Sequence, residues 1–202
     1  MFQSIENSLV KIQSLRIPES RKSILNTLRD YCQQQLNAGK ELQLNFICTH
    51  NSRRSQFSQV WAQVAAYSYE IPLSSFSGGI EVTAFNERAI ASLARFGFEI
   101  SSDTSPNPQY SLSFANQAPP IAAFSKLYDD PVNPSEDFAA VMTCSDADEN
   151  CPFIPGASAR IPLRYEDPKA FDDTSQEALM YDKRSMQIAS ELFYVFNHLK
   201  KA

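Results

Sequence analysis

The stretch from Leu42 to Val64 constrains this chain more than any other. Leu42, Leu44, Phe46 and Ile47 form a short apolar run with too few polar interruptions for a half-exposed sheet, which predicts a buried parallel strand. Phe57, Val60, Trp61 and Val64 then recur at helical spacing. Between the two lies Cys48-Thr49-His50-Asn51-Ser52-Arg53-Arg54-Ser55. Backbone N–H groups of such a strand-to-helix loop converge on one point, and the helix that follows adds the positive end of its dipole. Tetrahedral anions bind at such points.

The loop's side chains suit that use. A cysteine at a helix N-terminus beside a guanidinium is favoured as the thiolate, so Cys48 is the candidate nucleophile. Arg54 supplies a planar fork that binds two anion oxygens at once, which a lysine cannot do. Asn51 and Ser55 are placed to brace the loop, and Thr49, His50, Ser52 and Arg53 complete the candidate substrate-binding set. The competing reading is a chance cysteine and arginine at a buried strand end.

Beyond the loop, Leu73 to Phe76 reads as a second strand, Ser77-Gly78-Gly79 as a tight turn, and Asn86 to Phe96 as a second helix closed by Gly97. Strand, loop, helix, strand, helix in this order predicts an α/β layered fold. Ser101 to Asp137 is broken by Pro106, Pro108, Pro119, Pro120, Pro131 and Pro134 and reads as a hairpin or flap, with strand character from Ile121 to Leu127. Phe138 to Thr143 is a further strand. After Cys151 a loop passes through Pro152, Pro155 and Pro162 to Asp167-Pro168, and a last helix runs from about Thr174 to Lys200. Residues 1–40 read as two helices, with stripes Ile5, Leu9, Ile12 and Ile24, Leu28, Tyr31, Leu36. They form a helical extension, packed on the core or on a partner, ahead of a catalytic domain of residues 41–202. Cys32, beside the second stripe, reads as a small buried apolar residue.

Composition narrows the classes. The net charge of −5 and the lack of a basic block point away from nucleic acid. No run approaches the roughly 20 apolar residues of a membrane span, and Met1 to Lys11 lacks the apolar region of a signal peptide, so the expectation is a cytoplasmic protein. Four cysteines are too few for a disulfide scaffold, and two histidines without paired ligand spacings predict no zinc or other metal site.

In an open parallel sheet, ligands sit beyond the carboxyl ends of the strands. Cys48 follows the first core strand, Cys144 ends a later one, and Asp167 lies in the loop after it, so the three can meet at one edge. Pro168 disfavours the α region for Asp167 and holds it extended, a fixed carboxyl suited to a general acid. Glu166, Asp172 and Asp173 are near enough to compete for that role. Cys144 and Cys151 frame a polar, acid-rich segment. They can act as a resolving pair that takes an oxidised bond from Cys48, or they are two unrelated thiols. Were the segment helical, their Cα atoms would stand ~10 Å apart, beyond the roughly 7 Å that a disulfide allows. Forming that bond requires the segment to loop out.

The loop Cys48 to Ser55, Ser77-Gly78-Gly79-Ile80-Glu81 with Asn86 after it, the segment Cys144 to Pro152, and Asp167-Pro168 resemble, in order, the motifs of thioredoxin-coupled arsenate reductases. These share the low-molecular-weight protein tyrosine phosphatase fold. The resemblance covers roughly residues 41 to 200 and implies an α/β three-layer sandwich around a central four-stranded parallel sheet. It also implies that Cys48 attacks arsenate, Arg54 holds its oxygens and Asp167 protonates the departing hydroxide. Cys144 then attacks the Cys48 adduct, Cys151 takes over the disulfide, and thioredoxin reduces the Cys144 to Cys151 pair. No tightly bound cofactor is implied. Some members hold potassium, and Asn51 and Ser77 fit two of its positions while the others have no clear match.

Two departures stand out. His50 occupies the place of a loop glycine, and Arg53 stands where reductases often carry a further cysteine. Two other functions fit the same residues. A phosphatase for phosphotyrosine or small phosphate esters needs only Cys48, Arg54 and Asp167, and a non-catalytic anion-binding module, with the N-terminal helices as its partner-binding part, is kept open by His50.

Overall fold

The computed structural model describes residues 1–150 and 153–201. The apolar run becomes β1 (Gln43–Cys48), an interior strand of a parallel four-stranded sheet. Its neighbours are β2 (Ser74–Gly79) on one side and β6 (Phe138–Met142) on the other, with β7 (Ala157–Ile161) beyond β6, giving the order β2-β1-β6-β7. Leu44 to Cys48 are all buried, as a strand covered on both faces requires. Side chains alternate between two cores. Leu44, Phe46, Ala139 and Val141 enter the larger one, while Ile47, Ala140 and Met142 enter a smaller one that also holds Cys48 and Cys144.

Two features of the sheet differ from the sequence expectation. Ser77, Gly78 and Gly79 continue β2, in register with Phe46, Ile47 and Cys48, instead of forming a turn. The glycines serve close approach: a Cβ on Gly78 would stand 2.3 Å from Tyr128 Cα, and one on Gly79 would stand 2.7 Å from Asn51 N and 2.8 Å from Thr49 O. The segment after Cys151, expected as a loop, contains β7, whose mixed Ala-Ser-Ala-Arg-Ile sequence carries too little apolar periodicity to announce a strand.

The larger core is closed by helices. In α3 (Arg54–Ser68), Trp61 is fully buried and donates its indole N–H to Ser185 Oγ at 2.8 Å, on the last helix α6 (Glu177–Asn197). Burying a side chain of this size stabilises by roughly 2–3 kcal/mol. In α4 (Glu87–Phe96), the Asn86 side chain accepts from the N–H groups of Arg88 and Ala89, and Gly97 ends the helix in the left-handed region at φ 104°. The N-terminal residues form α1 (Gln3–Gln13) and α2 (Glu19–Asn37) and pack on this same core. Ser4 and Ser8 donate to the carbonyls of Gly97 and Phe96, and Arg21 grips the buried Glu191 through two bonds of 2.9 and 2.6 Å. Leu25 points inward with Leu28, while Ile24 is only partly covered. Cys32 is fully buried, and burial pushes its thiol well above its ordinary range.

The proline-rich middle is more ordered than a flap. β3 (Glu99–Ser102), β4 (Tyr110–Ser113) and β5 (Ile121–Ala123) form an antiparallel sheet in that order. Pro106, Pro108, Pro119 and Pro120 fall in its connections, where a missing N–H breaks no ladder. The sheet docks on α3 through Gln59 Nε2 to Ala122 O and a Tyr67–Phe114 ring contact. Among the described residues, no helix is long and apolar enough to cross a membrane.

Candidate active site

The loop after β1 is held from outside by its carbonyl oxygens. Thr49 O accepts from the N–H groups of Ile80 and Glu81, and His50 O from the hydroxyls of Thr83 and Ser125. Asn51 O accepts from Gln56 Nε2, Ser52 O from Asn86 N and Arg53 O from Phe57 N. None of the N–H groups from His50 to Ser55 has a partner among the described residues. A loop with its acceptors taken and its donors free is a cradle for an anion.

Asn51 stands at φ 45°, in the left-handed region that asparagine tolerates better than most residues. Its Oδ1 accepts from Lys126 N at 3.0 Å, which orients Nδ2 to donate to Ser55 Oγ at 2.8 Å. Since that oxygen already accepts, its own proton is left for Cys48 Sγ at 3.0 Å. Asn51, Ser55 and Cys48 thus form a chain of bonds that places a donor on the sulfur. His50, where a glycine was expected, is not in the left-handed region; its ring faces Glu81 at 3.3 Å, partly exposed at the mouth of the loop.

Arg54 is fixed by two acceptors. Nη1 donates to Tyr165 O at 3.1 Å and Nη2 to Asp167 Oδ2 at 2.7 Å, leaving Nε buried without a partner. An unpaired buried guanidinium N–H is the kind of donor that an oxyanion satisfies. Asp167 is extended (φ −77°, ψ 124°), as the following proline requires, and its Oδ1 accepts from Lys169 N. Arg53 goes elsewhere, to Tyr181 OH at 2.8 Å and Asp172 at 3.4 Å, with Asp167 at 4.0 Å. Of the carboxyls that could compete with Asp167, Asp172 is engaged with Arg53 and Tyr181, and Asp173 with Arg88. Ser52 Oγ donates to Ala84 O.

Cys144 follows β6 and is buried beside this loop. Its sulfur caps the short helix α5 (Ser145–Asn150), accepting from Ala147 N at 3.3 Å, and lies 3.5 Å from Thr49 Oγ1. The Thr49 hydroxyl donates to Asp146 at 2.7 Å, so its oxygen is left to receive the Cys144 S–H. Cys48, Thr49, Arg54, Asp167 and Cys144 thus gather at the carboxyl ends of β1 and β6. Cys151 lies outside the described residues. Asn51 and Ser77, the two positions matching potassium ligands, are occupied with internal bonds: Asn51 as above, and Ser77 through its hydroxyl to Gln59 and its carbonyl to Asn133. No step below uses a potassium ion.

Sequence reasoning missed the supports. Gln56 ties Asn51 O to Phe124 O, and Asp146 holds Thr49. Gln56 stands among Arg54, Ser55, Ser58 and Gln59 in a largely polar first turn of α3, so its residue type did not single it out. Nothing local marked Asp146 among the acids around it.

No protein-family model matches the chain. An arsenate reductase of Staphylococcus epidermidis is 30% identical over 124 residues, which is 61% of this chain and 76% of the relative. One from Staphylococcus aureus is 31% identical over the same coverage. Among solved structures, the low-molecular-weight phosphotyrosine phosphatases of Vibrio cholerae and T. tengcongensis each superpose with a TM-score of 0.52 at 12% identity. The first match covers 76% of this chain and 93% of that one, the second 78% and 99%, and both show a shared fold. With the Staphylococcus relatives and the loop geometry together, the chain belongs to the arsenate reductase family, built on the low-molecular-weight phosphotyrosine phosphatase fold.

Proposed function

We propose that this chain reduces arsenate to arsenite by a three-cysteine relay. The observation that carries the proposal is the position of Cys144, a second buried thiol touching Thr49, the residue next to Cys48. The loop N–H groups and Arg54 bind the oxyanion, and its arrival draws the guanidinium's unpaired Nε onto an arsenate oxygen. The Cys48 thiolate attacks arsenic and an arsenic–oxygen bond breaks, the leaving oxygen taking a proton from Asp167 and departing as water. Cys144 then attacks the Cys48 sulfur. The sulfur–arsenic bonding pair leaves with arsenic, which falls from As(V) to As(III) as arsenite, and the two sulfurs are oxidised to a Cys48–Cys144 disulfide. Cys151 attacks Cys144, frees Cys48 and leaves a Cys144–Cys151 disulfide, whose two electrons are restored by thioredoxin.

Turnover of arsenate with thioredoxin, thioredoxin reductase and NADPH is the test. Cys151→Ser should stop after one arsenite per chain; equal steady-state turnover in both proteins would sink the relay. Mass spectrometry after arsenate exposure should find the Cys48–Cys144 bond in that variant and Cys144–Cys151 in the wild type.

A second reading is phosphate-ester hydrolysis. It is favoured by the Arg54–Asp167 pair at the loop, since with Cys48 these groups suffice for a phosphocysteine cleaved by water. Aryl phosphate hydrolysis that survives Cys144→Ser, in a protein inactive toward arsenate, would select it.

A further inference from the structure

A cavity of about 580 Å³ opens between α3, the start of β2 and the antiparallel sheet. Tyr67, Leu73, Phe76, Phe114, Ile121 and Phe124 give it a largely apolar wall. Lys126 also lines it, and only 4% of that residue is exposed. Its Nζ lies 4.5 Å from the centre of the Phe124 ring, and no carboxylate among the described residues is within ion-pair distance. Asp130 acts on this ammonium only from beyond contact, and a cation–π contact replaces only part of the lost hydration, so the charge is under-compensated.

The fold prevents this lysine from escaping to water. Its N–H donates to Asn51 Oδ1 and its carbonyl accepts from Gly79 N, so the backbone is fixed on both sides. Burial brings the ammonium down to about 8, which leaves it mostly charged at neutral pH. Gln63, at the same wall, has its side-chain oxygen taken by the Ser75 hydroxyl, so its amide N–H groups are left for a ligand. An apolar chamber of this size with one fixed cation and one neutral donor has the make-up of a small-molecule site.

We infer that this cavity binds a carboxylate with an apolar body, its head on Lys126 and Gln63 and its tail among Tyr67, Phe76 and Phe114. The charge selects acids over alcohols of equal length, and the chamber's size admits a medium-length aliphatic chain. Neither property is needed for the chemistry at Cys48.

Calorimetric titration of the full chain with octanoate and with 1-octanol tests this. Octanoate should bind at least about tenfold more tightly than octanol, a preference of one charge-assisted contact. Lys126→Met, which keeps the volume and removes the charge, should bring the two ligands to equal affinity. Ala122→Trp, at an exposed position on the cavity rim, should weaken both. Equal binding of acid and alcohol by the wild type, octanoate binding unaffected by Lys126→Met, or no binding of either ligand at millimolar concentration would each overturn the inference.

Discussion

The Cys48–Ser55 loop and α5 meet at Thr49, yet they are secured in different ways. Every loop carbonyl from Thr49 to Arg53 is tied to a neighbouring element by an amide or hydroxyl donor, and the loop's own N–H groups are left over. α5 is six residues long, too short to persist by itself. It is pinned through the nearly buried Asp148, which pairs with Arg160 on β7 and with Arg164, where Nε is 2.6 Å from Oδ2. A loop that must aim donors at an anion has to keep its shape. A segment that must carry its thiol from Cys48 to Cys151 has to let go, and side-chain ion pairs near the surface can exchange for water. The contrast teaches that the two halves of the proposed relay are built for opposite mechanical demands.

The loop half breaks most severely at Gly79. A methyl group there meets backbone atoms at Asn51, Thr49 and Glu81, all within 2.8 Å. Gly79→Ala should cost on the order of 3 kcal/mol by overpacking, and the loop shift should lower arsenate turnover by roughly a hundredfold or more. Urea unfolding and steady-state rates measure the two. A variant of unchanged rate would mean that the loop adapts, against the contrast drawn here.

Lys126 serves the loop with its backbone alone, so removing its charge should strengthen the fold. In the folded chain the ammonium titrates at about 8, against 10.5 for the free side chain. Between those values the unfolded chain binds more protons than the folded one, so stability rises with pH through this window. Below about pH 8 both states are charged and the folded state carries the full burial penalty; above 10.5 both are neutral and the penalty is gone. Lys126→Met should therefore be more stable than the wild type at pH 7 by on the order of 3 kcal/mol, the gap closing between pH 8 and 10.5. Denaturant titrations at several pH values would show it, and a pH-independent gap would contradict it.

How much of this the sequence carried depended on the range of the forces involved. β1, α3 and the anion loop were legible because strand burial, helical spacing and the Cys48–Arg54 spacing are local patterns. Ser77-Gly78-Gly79 was misread as a turn, since the reason for both glycines is the approach of Tyr128 and Asn51, residues remote in the chain. β7 was missed because an edge strand carrying Arg160 toward Asp148 obeys a tertiary pairing, not a period. In the Pro-rich middle β5 fell within the expected Ile121 to Leu127, whereas β3 and β4, four residues each, were too short for alternation to register. At the site, residue types located Cys48, Arg54, Cys144 and Asp167 on one edge, while the hydrogen bonds that orient them, from Lys126 N and Tyr165 O, come from main chain and leave no mark in side-chain identity.

On the α5 side, Asp148→Asn should release the segment without touching the loop. A buried carboxylate paired with two partly exposed arginines contributes about 2 kcal/mol, so local opening should become ten- to thirtyfold more frequent. Alkylation of Cys144 by iodoacetamide should speed up by a similar factor while that of Cys48 stays constant. If both cysteines accelerate together, loop and helix open as one unit and the distinction between them fails.

The smallest effect belongs to the bond chain inside the loop. Ser55→Ala removes the hydroxyl that Asn51 orients toward Cys48 Sγ, without disturbing any of the carbonyl ties. One hydrogen bond to a charged acceptor is worth about 1.5 kcal/mol, so alkylation of Cys48 at pH 7 should slow roughly tenfold. Ser55→Thr, which keeps the hydroxyl, should restore most of the rate, and Cys32, sealed in the core, should remain unlabelled in both. Equal labelling of Cys48 in the alanine variant would place the Ser55 proton elsewhere than on the sulfur. The loop would then hold its thiolate by backbone N–H groups and Arg54 alone.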